Sequence, residues 1–89
     1  MTHYVSVLVP MATGGWRALL PDLPGYQAEE RSLDLAILPA SGFLAQVTRL
    51  GSEIPAPRPL AFIKLDTDWA SSRDIDWSHS VVTMIPVHG

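Results

Sequence analysis

The sequence predicts an α+β domain: an antiparallel meander of three strands, one crossover helix, a fourth strand beside the first in the order 3-2-1-4, and a C-terminal strand. Three observations carry this. Up to Glu29 the chain alternates β-branched and aromatic segments with Gly and Pro punctuation, the pattern of short strands and tight turns. From Leu33 to Leu50 apolar residues recur at intervals of three and four, the stripe of a helix laid on a sheet. After Pro59 two further apolar segments, Leu60–Leu65 and Val81–Val87, remain to complete the sheet.

Tyr4-Val5-Ser6-Val7-Leu8-Val9 forms the first strand and ends at Pro10, which fixes φ and has no N–H to donate. Thr13-Gly14-Gly15 supplies the permissive backbone of a hairpin, and Trp16–Leu20 returns as the second strand. Pro21-Asp22-Leu23-Pro24-Gly25 is a structural turn, after which Tyr26-Gln27-Ala28-Glu29 pairs back as the third strand. Ser32 is the expected helix N-cap and Gly51 the stop. Pro39 stands inside that helix at a cost of roughly 3 kcal/mol and Gly42 adds about 1 kcal/mol, so a kink or a later start is in question. Pro55-Ala56-Pro57-Arg58-Pro59 is a stiff connector. Leu60-Ala61-Phe62-Ile63-Lys64-Leu65 is the expected fourth strand, laid parallel to the first by the helical crossover and leaving one sheet face open. Val81–Val87 is then an edge strand, or one swapped into a second copy.

Composition narrows the function. At 89 residues the chain is a single domain, 1–89, whose folding removes only roughly 60–65% of its surface from water, so a deep enclosed site is not expected. Six Lys and Arg against nine Asp and Glu give a net charge of −3, with the bases scattered, which disfavours direct nucleic-acid binding. The absence of Cys removes disulfides, thiolate metal sites and thiol nucleophiles. No Lys or Arg precedes the first apolar run and no segment approaches the length of a membrane span, so the expected location is the cytoplasm.

The opening strand, the Gly-Gly turn, Trp16-x-Ala18-x-x-Pro21-Asp22-Leu23-Pro24-Gly25, Ser32-Leu33-Asp34-x-Ala36 and Gly51-x-x-Ile54-Pro55-x-Pro57 together resemble a HicB-type antitoxin domain over residues 4–69. That resemblance implies a degenerate ribonuclease H-like fold without nuclease function. It further implies the antitoxin of a type II toxin-antitoxin pair, which binds and neutralises a small basic HicA-like mRNA-cleaving toxin by protein-protein contact. An acidic protein suits a basic partner, because complementary fields speed and orient association. Tyr26 and Pro39 depart from the family pattern, and the extension 70–89 has no amphipathic helix after Val87, so operator DNA binding is not expected. The alternative is an orphan HicB-like scaffold or small-ligand binder without a toxin.

Asp66 and Asp68 could converge with Asp22 or Asp34 in a two-metal site, but acidic residues at element ends more often form turns, and no residue is assigned a catalytic, cofactor or metal role. His3, His79 and His88 lack metal-ligand spacing, and Ser32 and Ser41 lack a nucleophile context. Three Trp exceed what a small core easily holds, so Trp69 and Trp77 either cap the open sheet face or meet a partner. The candidate partner-binding set is Asp66, Asp68, Trp69, Asp74, Asp76 and Trp77, and the candidate oligomer strand is Val81, Val82, Met84 and Ile85.

Overall fold

A computed structural model describes residues 2–51 and 53–87. The elements are β1 (Thr2–Pro10), β2 (Trp16–Leu19), β3 (Gln27–Glu30), α1 (Leu33–Arg49), α2 (Leu60–Leu65), α3 (Thr67–Ser72) and β4 (Val81–Val87). They build an α+β fold with one four-stranded sheet in the order β3-β2-β1-β4, antiparallel throughout. The expected order 3-2-1-4 is therefore present, but the residues of its fourth strand differ.

Leu60–Leu65 is helix α2, and the strand beside β1 is Val81–Val87, antiparallel to β1 from Thr2 against Val87 to Leu8 against Val81. Physical chemistry accounts for the exchange. Leu60–Leu65 has no period-two alternation, buries only Ile63 completely, and includes the helix formers Leu, Ala and Lys. Val81–Val87 is richer in β-branched residues, and its Pro86 is placed at the sheet edge, where a missing N–H is tolerated.

The second correction concerns the open face. Tyr4 through Val9 are all buried, which a half-exposed strand would not allow. Tyr4 and Leu8 join Ala18, Leu20 and Ile85 beneath Ala36, Ala40 and Leu44 of α1. Val5, Val7, Val9 and Leu19 point the other way, onto Ile63 with Leu60, Trp69, Ile75 and Trp77. The sheet is thus sandwiched between α1 on one face and the α2–α3 cap on the other. The polar, turn-rich tract after Leu65 supplies α3 to that cap.

Local capping follows the sequence. Ser32 Oγ accepts the Leu35 N–H at 3.3 Å, and α1 runs unshortened through Pro39 to Arg49. Gly51 stops it with φ of 72°, its N–H donating to the Thr48 carbonyl. In the β1–β2 turn Gly15 has φ of 88°, and a Cβ there would stand 2.6 Å from the Glu30 carbonyl oxygen at the end of β3. Both the dihedral and the backbone approach therefore require glycine. Gly15→Ala is expected to lose about 2–3 kcal/mol in urea unfolding, against under about 1 kcal/mol for Gly25→Ala, whose added Cβ meets nothing within 4 Å.

Candidate interaction site on the capped sheet face

The connector that carries the chain from α1 to the opposite sheet face is pinned by the turn Pro21–Gly25. Asp22 is buried, and its carboxylate accepts the Arg58 backbone N–H at 2.8 Å and the Arg58 Nε at 2.5 Å. Arg58 Nη1 donates to Asp66 Oδ2 at 3.1 Å, while Asp66 Oδ1 accepts the Trp69 N–H at 3.1 Å as the N-cap of α3. Tyr4 supplies a second pin by donating its hydroxyl to the Pro55 carbonyl at 2.5 Å, and burial, followed by the nearby Asp22 charge, raises its pKa. One chain of contacts thus runs from the meander turn through Arg58 into the first turn of α3.

The far end of the cap is tied to β2 and to the turn that leads into β3. Arg17 donates to the Arg73 carbonyl at 2.8 Å, and Arg73 donates to the Pro24 carbonyl at 2.9 Å and reaches Gln27 Oε1 at 3.5 Å. Between these anchors Trp69 and Trp77 lie with ring centroids 6.4 Å apart, and Lys64 Nζ stands 5.5 Å from the Trp77 ring.

The proposed partner-binding set divides accordingly. Asp66 is engaged by Arg58 and by the α3 cap, and its carboxyl is held below the ordinary value of 3.8, first by the Trp69 N–H and then by Arg58. Trp69 and Trp77 are half-buried against the second core, the packing role open to them in the sequence. Asp68, Asp74 and Asp76 are exposed. Asp74 ends the cap helix region with φ of 53°, a left-handed position that Asp tolerates. Asp76 accepts from the Ser78 N–H at 3.0 Å and from its hydroxyl at 2.6 Å, and pairs with His79 at 2.7 Å. Those Ser78 and His79 contacts lower its pKa. Asp22 and Asp66 share Arg58 between them, and Asp34 sits in the first turn of α1 on the other side of the sheet.

Among the oligomer-strand residues, Ile85 is buried under α1, Val81 packs on the same cluster, and Val82 packs on the opposite one. Met84 alone of the four is exposed. His3 and His79 are exposed, and His88 lies outside the described residues. Among the described residues no three His, Asp or Glu side chains gather as metal ligands would, and no helix is long and apolar enough to cross a membrane. The residue of this network that sequence reading missed is Arg58, hidden in a proline connector; its signal is a lone base between Pro57 and Pro59, downstream of a lone acid between Pro21 and Leu23. No family model, no curated protein and no solved structure matches the chain.

Acid should loosen the cap before other parts of the fold. A carboxylate with a depressed folded pKa stabilises fully above its unfolded value and loses that contribution as pH falls through the lower folded one. Asp66 and Asp76 are both depressed, so the Trp emission should shift to the red below about pH 4. Asp66→Asn should show the red-shifted emission already at neutral pH; unchanged emission in both experiments would remove Asp66 from the anchor.

Proposed function

We propose that this chain is the antitoxin of a type II toxin-antitoxin pair, acting in the cytoplasm by binding and neutralising a small basic HicA-like toxin through protein-protein contact. The observation that carries the reading is the ordered set of HicB-type segments in residues 4–69. The fold supports it in one respect: a three-stranded meander and a Ser32-capped helix follow each other as the resemblance implies. Between residues 60 and 80 four Asp face one Lys and one Arg, and Asp68, Asp74 and Asp76 of these present their carboxylates to solvent. Such a surface steers a basic partner and fixes its orientation, whereas Asp66, Trp69 and Trp77 act by holding the cap in place.

The test is co-expression with a small basic protein encoded beside this chain, reading complex formation and rescue of growth. The variant Asp68→Asn with Asp74→Asn leaves both the Arg58 contacts and the Asp76 turn untouched. It should weaken the complex by roughly tenfold, mainly through slower association, and flatten its salt dependence. Undiminished affinity would remove these carboxylates from the interface. A neighbour that is not toxic and does not bind would favour the orphan scaffold or ligand-binding reading.

A further inference from the structure

The outward face of α1 is built like half of a symmetric helix pair. Opposite its buried Ala36, Ala40 and Leu44, the helix presents Leu35, Leu38, Gly42, Ala45 and Arg49, a stripe at alternating spacings of three and four. Leu35 is 42% and Leu38 66% exposed, and α1 carries no charge between Asp34 in its first turn and Arg49 in its last. A solvated helix face ordinarily carries charged residues along its length.

Gly42 is also unexplained within the chain. A Cβ built at Gly42 meets nothing within 4 Å, so alanine would fit and would stabilise the helix. Glycine at an exposed mid-helix position has a purpose when another backbone approaches closely.

We infer that this face pairs with a second copy of the chain, α1 against α1, antiparallel about a two-fold axis between Ser41 and Gly42. In that register Leu38 of each copy stands opposite Ala45 of the other, large against small. Ser41 stands opposite Gly42, and each Asp34 meets an Arg49 some 22 Å along the helix. The charges at the two ends of the helix are thereby self-complementary, as an isologous interface requires. Beside Ala45 a cleft of about 240 Å³ runs between Ser41, Thr48 and Arg49 of α1 and Pro86 and Val87 of β4. It is smaller than the roughly 300–1,000 Å³ of a small-molecule site and is placed to receive the Leu38 side chain of the second copy. The contact between copies therefore lies on α1 and leaves the α2–α3 cap free for another protein.

Sedimentation over a range of protein concentrations tests this. The chain should be dimeric, and Ala45→Glu, at an exposed position, should raise the dissociation constant at least about tenfold with an unchanged circular dichroism spectrum. Asp34→Arg alone should dissociate the dimer and Asp34→Arg with Arg49→Asp should restore it. Because the chain has no Cys, Ser41→Cys should give a disulfide-linked dimer on oxidation and Met84→Cys should not. A chain that stays monomeric, or a dimer indifferent to Ala45→Glu and cross-linked through Met84→Cys, would overturn the proposal.

Discussion

Arg58 joins three parts of the molecule, the meander turn, the proline connector and the start of α3. Asp22 takes its backbone N–H and its Nε, Asp66 takes its Nη1, and the second oxygen of Asp66 caps α3. A buried carboxylate such as Asp22 would be costly without a charged partner, so the meander turn and the connector specify each other. The proline connector is stiff and carries few donors, which makes the Arg58 amide well suited to this role. Once it is held, the chain after Pro59 is directed onto the sheet face that α1 leaves bare. Ile63, Trp69, Ile75 and Trp77 then cover Val5, Val7 and Val9.

This arrangement separates residues that hold the cap from residues that it displays. Asp66 and the two Trp side chains are turned to internal tasks and Asp76 holds its own turn through Ser78 and His79, while Asp68 and Asp74 stand exposed on the same short segment. Acidic charge near aromatic surface is a common basis for recognising a basic protein. The opposite side of the molecule has the reverse character. The outer stripe of α1 is apolar and nearly uncharged, with acid and base confined to its ends. One chain therefore carries two chemically distinct surfaces, one acidic and one apolar.

Much of the first half of the fold was legible in the residues. Gly15, Pro21 to Gly25, Ser32 and Gly51 each impose a local geometry with a single reading, and the structure places a turn, a cap or a stop at each. The second half was harder because Leu60–Leu65 is a short apolar run, for which periodicity cannot separate strand from helix. The crossover rule then supplied a parallel partner for β1 when an antiparallel one, Val81–Val87, lay further along. A signal for the correct answer was present in β1 itself: Tyr4-Val5-Ser6-Val7-Leu8-Val9 has no polar face, which marks a strand covered on both sides. Asp22 was legible as a turn residue but not as an ion-pair partner, because its contact with Arg58 spans 36 positions and depends on the tertiary fold.

The central claim is that the Asp22–Arg58 clamp, and not the stiffness of the prolines, directs the chain across the sheet. Hydrogen exchange at the connector isolates it, since Pro55, Pro57 and Pro59 have no amide and only Ala56 and Arg58 report between them. The account predicts that the Arg58 amide exchanges slower than Ala56 by roughly two orders of magnitude or more, and that Asp22→Asn removes most of the difference. Equal rates at Arg58 and Ala56 in the native chain would contradict it.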